Sequence, residues 1–212
     1  MSQPTPTVHV VDDDESFLRA MGRLLSANGF AVRMHPSASA FLSQCGEDAP
    51  GCVVSDLHMP GVGGLDLQFE LERTGIPLPI LFLTGHADTV STVQAMRRGA
   101  EDFLEKRAPT EQLLDAVRRA LARDAAQRQA RARAVTLAAA FDALTERERQ
   151  VMQHVLQGRL NKQIAGELEI HERTVKLHRK AVMDKLGVRS VAELTRLAQA
   201  AGLLEPLQPG SP

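Results

Sequence analysis

The chain has 212 residues, of which 43% are hydrophobic, and its 25 basic and 26 acidic side chains leave a net charge of −1. That length gives room for one large or two small globular cores. Two cysteines, Cys45 and Cys52, make neither a disulfide framework nor a metal-binding spacing. No basic segment followed by an apolar one opens the chain, and no run approaches the ~18 apolar residues of a membrane span. These features predict a soluble, cytoplasmic protein without a membrane partner.

The small net charge hides an asymmetry. Residues 1–106 carry 14 acidic and seven basic side chains, and residues 107–212 carry 12 and 18. An acidic half joined to a basic half points to two jobs, and the basic half suits a polyanion such as nucleic acid.

In the first half, short β-branched or apolar runs alternate with amphipathic stretches. Strands are expected at 8–11, 31–34, 53–56, 80–83 and 102–105. Phe17, Leu18, Met21, Leu24 and Leu25 recur at helical spacing up to Asn28-Gly29. Residues 65–73 fit either period, but their length and the following Gly75-Ile76-Pro77 favour a helix. Residues 89–98 are expected to be helical up to Gly99, and a further helix starts near Thr110. This alternation implies a parallel sheet with helices on both faces.

From Leu113 an Ala/Arg-rich stretch follows without Gly or Pro. It reads as a helical linker and not as a coiled coil, because apolar a and d positions are not sustained. Residues 142–204 read as four short helices. Thr145-Glu146-Arg147-Glu148 and Ser190-Val191-Ala192-Glu193 each fit a capping box. Asn161 is placed to cap the helix 162–168, and Gly187 closes the helix 171–186. The tail after Gly202, rich in Pro and Gly, is expected to be disordered. The domains are therefore set at 1–122, 123–141 (linker) and 142–212.

In a doubly wound sheet, ligands sit beyond the carboxyl ends of the strands, where the strand order reverses. The first strand here ends in Asp12-Asp13 and the third in Asp56. In the order 2-1-3-4-5 these strands are neighbours, so three carboxylates converge. Such a cluster needs a hard cation with oxygen ligands, for which Mg²⁺ is the natural choice. Asp56 is then a nucleophile for phosphorus, giving an acyl phosphate. Lys106, after the fifth strand, and Thr84, at the end of the fourth, can meet charge on the transferred phosphoryl oxygens.

The segments Val10-Val11-Asp12-Asp13-Asp14, Asp56-Leu57-His58-Met59-Pro60-Gly61, Thr84-Gly85 and Phe103-Leu104-Glu105-Lys106 resemble a receiver domain. The resemblance implies a flavodoxin-like fold with Asp56 as phosphoacceptor. It implies that Asp12, Asp13, Asp56 and the backbone carbonyl of His58 hold Mg²⁺, and that Thr84 and Phe103 form a switch pair. Lys106 would contact the phosphoryl group. One departure is Arg107, where receivers carry Pro after a bond that is often cis. A cis bond before a non-proline residue costs about 3 kcal/mol, so either that strain is kept or the loop is rearranged.

In the basic half, Val175, His178, Val182 and Leu186 make an apolar stripe on one helix, with Lys176, Arg179 and Lys180 together on another face. Such a helix fits a DNA major groove, and the turn Glu169-Ile170-His171 before it is short enough for a helix-turn-helix. The motifs Thr145-Glu146-Arg147-Glu148, Asn161-Lys162-Gln163-Ile164-Ala165 and Thr174-Val175-Lys176-Leu177-His178 resemble the LuxR-type four-helix DNA-binding domain. The whole chain resembles the NarL/FixJ family of response regulators, FixJ most of all. That likeness implies base contacts from Lys176, Leu177 and Lys180 with Arg179 beside them, and phosphate contacts from Lys162 and Arg173. It also implies a dimer contact at the outer edge of the stripe Val191, Leu194, Leu197, Ala198 and Ala201. A second departure is His171 in place of a capping Ser, and His is the poorer cap.

The expected function is a transcriptional response regulator of a two-component phosphorelay, not an enzyme. Its partners would be a histidine kinase, promoter DNA, RNA polymerase and, on phosphorylation, a second copy of the chain. The alternative is a DNA-binding regulator that works without phosphorylation, for which Arg107 is the only sign.

Overall fold

The computed structural model of the chain describes residues 5–46, 49–85 and 89–203. The expectation for the tail falls largely on residues 204–212, outside the described residues. The chain divides into two compact units, Met1–Arg128 and Gln129–Pro212.

The first unit is a five-stranded parallel sheet in the order β2-β1-β3-β4-β5. Its strands are β1 (Thr7–Val11), β2 (Ala31–His35), β3 (Gly51–Asp56), β4 (Ile80–Thr84) and β5 (Asp102–Glu105). The helices are α1 (Glu15–Ala27), α2 (Ala38–Gln44), α3 (Gly64–Thr74), α4 (Thr89–Arg97) and the part of α5 (Thr110–Asp142) up to Arg128. Side chains alternate across a strand, and the two cores follow that alternation. Val8, Val10, Cys52, Val54, Leu81 and Leu83 pack with Leu18 and Leu25 of α1 and with Leu113 and Val117 of α5. Val11, Val53, Ile80 and Phe82 point the other way, onto Phe41 of α2, Leu67 of α3 and Ala95 of α4. The fold is the flavodoxin-like one expected from the sequence.

Helix α2 has no counterpart in the sequence reading. It is only seven residues long and buries Ala38 and Phe41 alone, too short a repeat for periodicity to register. The side chain of Ser37 starts it, accepting the Ala40 N–H at 3.1 Å. Helix α3 begins at Gly64 because nothing larger fits there. A Cβ at that position would lie 2.4 Å from the Asp56 carbonyl oxygen. The glycine lets α3 close tightly behind Asp56.

Helix α5 is continuous over 33 residues. Part of the stretch read as linker belongs to the first unit. The buried Asp124 accepts the Gly51 N–H at 2.9 Å and pairs with Arg128 at 2.9 Å, and Arg128 also donates to the Ala49 carbonyl at 2.6 Å.

The second unit contains α6 (Glu146–Leu156), α7 (Asn161–Glu167), α8 (Glu172–Leu186) and α9 (Val191–Ala200). They enclose a core of Val151, Val155, Ile164, Val175, Val182, Leu194 and Ala198, joined by Phe141 and Leu144. The box at α6 forms as expected: Glu148 Oε2 accepts the Thr145 N–H at 2.8 Å, and Thr145 Oγ1 accepts the Glu148 N–H at 3.3 Å. The box at α9 is displaced. Ser190 accepts the Glu193 N–H, but the Glu193 carboxylate takes the N–H of Arg189, one residue earlier. Asn161 does not cap α7. The cap position is Leu160, whose N–H is taken by the Gln163 side chain at 2.8 Å, and Asn161 is already helical. Its amide oxygen is free to look outward, and it meets Arg179 instead.

Candidate functional site

The pocket in the first unit is built at the carboxyl ends of β1, β3, β4 and β5. Pairing of β1 with β3 sets Val11 opposite Ser55, so Asp12 and Asp56 follow side by side. Asp12 is 1% exposed, and its Oδ1 accepts the Asp14 N–H at 2.9 Å. The side chain of Asp14 caps α1, taking the N–H groups of Ser16 and Phe17 at 2.8 and 3.2 Å. Asp14 therefore orients Asp12 and starts the helix at once, a role that the motif alone did not reveal. Carboxylate oxygens of Asp12, Asp13 and Asp56 lie within 4.8 Å of one another, with Asp13 exposed. Among the described residues this donor set fits a hard divalent cation: three oxygen ligands, no sulfur, no imidazole.

Lys106 enters from the end of β5. Its Nζ lies 2.6 Å from Asp12 Oδ2 and 2.9 Å from Asp56 Oδ2. No peptide bond among the described residues is cis, so the bond before Arg107 is trans, and Lys106 points into the pocket. Burial pushes the Asp12 carboxyl above its ordinary pKa, opposed by the hydrogen bonds from Lys106 and Asp14, while the charge of Asp56 adds to the rise. Burial alone would lower the Lys106 ammonium, but its hydrogen bonds and charge pairing with Asp12 and Asp56 outweigh this and raise it. The site thus holds the Lys106 ammonium between two buried carboxylates, with Asp13 as the exposed member of the cluster.

Thr84 is fully buried, and its carbonyl accepts the Lys106 N–H at 2.8 Å. Phe103 is half-buried on β5, opposite Phe82, with ring centroids 6.2 Å apart. His58 is exposed, and its N–H donates to Asp56 Oδ1 at 3.4 Å. On α4, Val90, Val93 and Met96 stay exposed while Ala95 is buried. The buried Gln68 of α3 donates to the carbonyls of Ala95 and Arg98, each at 3.2 Å, and pins the far end of α4.

In the second unit, α7, a turn and α8 form a helix-turn-helix. The turn depends on Glu169, which adopts a left-handed φ of 54°. His171 occupies the cap position of α8 without a side-chain hydrogen bond to the helix, as expected for a His there. Lys162, Arg173, Lys176, Leu177 and Lys180 are all exposed. Leu177 is 62% exposed, which is unusual for a leucine with an apolar core a turn away. Lys176 pairs loosely with Glu172 at 3.5 Å. Arg179 is set apart from this group: it is half-buried, and its guanidinium donates to Asn161 Oδ1 at 2.8 Å, tying α8 to α7. Val175, Val182 and Leu186 are buried and His178 is half-buried. On α9, Leu194 and Ala198 are core, while Val191 remains 38% exposed.

The class defined by this fold is a receiver-type α/β unit, with an acidic pocket and a lysine, carried on one chain with a helix-turn-helix unit. Comparison with known proteins gives the same division. Residues 8–118 match the response regulator receiver domain, and residues 142–198 match the bacterial regulatory proteins of the luxR family. Response regulator protein TmoT of Ectopseudomonas mendocina is 41% identical over 94% of this chain and 90% of its own length. Transcriptional regulatory protein FixJ of Rhizobium meliloti (strain 1021) is 40% identical over 92% of this chain and 96% of its own. The solved structure of response regulator StyR superposes with a TM-score of 0.86 at 45% identity, covering 92% of this chain and 98% of StyR. The chain belongs to the two-component transcriptional response regulators that join a receiver domain to a LuxR-type DNA-binding domain. Receiver domains of this family bind Mg²⁺ at an acidic site, and Asp12, Asp13 and Asp56 form such a cluster here. Among the described residues, no helix is long and apolar enough to cross a membrane.

Proposed function

We propose that Asp56 is the phosphoacceptor of this chain and that its phosphorylation promotes dimerisation and promoter binding. The observation that carries this reading is Lys106 Nζ at 2.9 Å from Asp56 and 2.6 Å from Asp12, beside a carboxylate cluster suited to Mg²⁺. An Asp56 carboxylate oxygen attacks the phosphorus of a phosphohistidine. A carboxylate O–P bond forms, the N–P bond breaks, and the imidazole leaves with the electron pair. The Lys106 ammonium meets the charge on the phosphoryl oxygens, and the Thr84 hydroxyl donates to one of them. Asp12, Asp13, Asp56 and the His58 carbonyl would hold Mg²⁺, which supplies further positive charge to those oxygens.

Movement of Thr84 toward the phosphoryl group opens space for Phe103 to turn inward, and the α4–β5 face gains the shape that pairs with a second copy. Its exposed Val90, Val93 and Met96 supply apolar area for that contact. In the DNA-binding domain, Lys176, Leu177 and Lys180 face the bases, and Lys162 and Arg173 meet phosphates. Arg179 holds the two helices of the motif together through Asn161 and reaches DNA only by releasing it. Two recognition helices then sit about one helical turn of DNA apart. Residues 1–122 form the receiver and 142–212 the DNA-binding domain with its tail, and of the linker 123–141 the first turns, with Asp124 and Arg128, pack with the receiver. The protein acts in the cytoplasm on promoter DNA and RNA polymerase, receives its phosphoryl group from a histidine kinase, and is not a turnover enzyme.

The test is incubation with acetyl phosphate and Mg²⁺, followed by intact-mass analysis and a DNA footprint. One phosphoryl group per chain is expected, with none on Asp56→Asn, and the footprint should strengthen on phosphorylation in the wild type alone. Equal footprints for both proteins with and without donor would favour a regulator that works without phosphorylation.

A further inference from the structure

Phe17 belongs to none of the motifs that build the pocket, yet its ring faces the pocket's lysine. It is the third residue of α1. Its N–H is held by the Asp14 carboxylate at 3.2 Å, which fixes where the side chain leaves the helix. The half-buried ring packs against the α1–α5 core. Lys106 Nζ lies over its face, 4.3 Å from the ring centroid. The ammonium therefore has a carboxylate from β1, a carboxylate from β3 and an aromatic face from α1.

A lysine side chain is long and flexible, and holding it in one place costs rotamer freedom. Here Arg107 follows, so no proline ring restricts the backbone next to Lys106. The place of Nζ depends on what it touches. During phosphoryl transfer the two carboxylates change partners: Asp56 bonds to phosphorus, and Asp12 would be drawn to a bound Mg²⁺ instead of to Lys106. The ring does not change. A negative π face keeps attracting the ammonium throughout, and more so because the Lys106 side chain is only 20% exposed.

We propose that Phe17 is a positioning residue for phosphoryl transfer, holding the Lys106 ammonium at the pocket while the carboxylates exchange partners. This rests on the reading of Asp56 as phosphoacceptor. A plain core role predicts that an aliphatic side chain of similar bulk serves equally well. A positioning role predicts that it does not, whereas another ring does.

The full chain is compared as wild type, Phe17→Leu and Phe17→Tyr. The first readout needs no phosphorylation. The Lys106 ε-methylene protons should be shifted upfield by the ring in NMR spectra of the wild type and of Phe17→Tyr, and not in Phe17→Leu. The second is the rate of phosphorylation by acetyl phosphate with Mg²⁺, measured over a range of donor concentrations. Phe17→Leu should lower the maximal rate roughly three- to tenfold, the scale of a half-buried cation–π contact. The donor concentration at half-maximal rate should stay nearly unchanged, and Phe17→Tyr should remain within about twofold of wild type. Absence of the upfield shift in the wild type overturns the proposal. So does equal slowing of both variants, or an undiminished maximal rate in Phe17→Leu. A wild-type chain that takes up no phosphoryl group sinks the reading of Asp56 and this proposal with it. Normal uptake with equal rates in wild type and Phe17→Leu sinks this proposal alone.

Discussion

Among single residues, the pocket concentrates like charge. Asp12, Asp13 and Asp56 share a small volume with Lys106 as the neighbouring cation, so a divalent ion should stabilise the folded chain by mass action. At a tenfold excess over its dissociation constant the gain is about 1.4 kcal/mol. A rise in melting temperature with Mg²⁺ is expected for the wild type and a much smaller one for Asp13→Asn, measured by calorimetry. Another pair of buried residues bears on pH. His9 Nδ1 and His35 Nε2 lie 3.0 Å apart, with both rings packed edge-on against Phe41. Burial, then the neighbouring His35 and Arg33, lower His9 from 6.5 to about 4. Between those values the unfolded chain binds the proton and the folded chain does not, so stability rises with pH through this window. Acidification from pH 6.5 to 4 should remove on the order of 2 kcal/mol through His9. Urea titrations should show a shallower pH dependence for His9→Leu across the same range. An unchanged slope would mean that His9 takes its proton as readily folded as unfolded.

Secondary-structure elements differ in how locally they are specified. The start of α6 is written in four consecutive residues, and Thr145 and Glu148 satisfy each other's backbone groups as the pattern implies. The start of α7 is not. Asn161 has the composition of a cap, but its oxygen is claimed by Arg179, 18 residues later in the chain, and Gln163 takes over the reciprocal half of the cap. Between α7 and α8, Glu169 holds a left-handed backbone that costs a non-glycine residue roughly 1 kcal/mol. Glu169→Gly is therefore expected to stabilise the DNA-binding domain by about 0.5–1 kcal/mol in thermal unfolding. A loss of stability would show that the Glu side chain contributes more than its backbone costs.

At the level of the whole molecule, the charge asymmetry gains a structural meaning. The acidic excess of the first half includes the carboxylate cluster Asp12, Asp13 and Asp56, while the exposed cations Lys162, Arg173, Lys176 and Lys180 gather on α7 and α8. A surface that binds DNA through such cations releases counterions, and log K falls with log salt by about 0.9 for each phosphate neutralised. Lys162→Ala should weaken binding to all sequences alike and reduce that slope by about one contact. Lys180→Ala, if it faces a base, should instead relax sequence preference. Gel-shift titrations at several salt concentrations, on specific and scrambled duplexes, separate the two effects.

The sequence by itself determined the five strands, the acidic and basic halves, and the residues at the strand ends. A parallel α/β sheet turns the ends of its strands into one edge, so Asp12, Asp56, Thr84 and Lys106 could be assigned to a common pocket from their positions alone. What the chain could not show locally were the contacts between distant residues. The place of Lys106 between Asp12 and Asp56, the ring of Phe17 over it, the pairing of His9 with His35, the tie of Asp124 and Arg128 to the loop before β3, and the withdrawal of Arg179 to Asn161 each join segments remote in sequence. Periodicity and capping report only on neighbours within a turn or two. Which long side chain meets which partner depends on packing that exists only once both cores have closed.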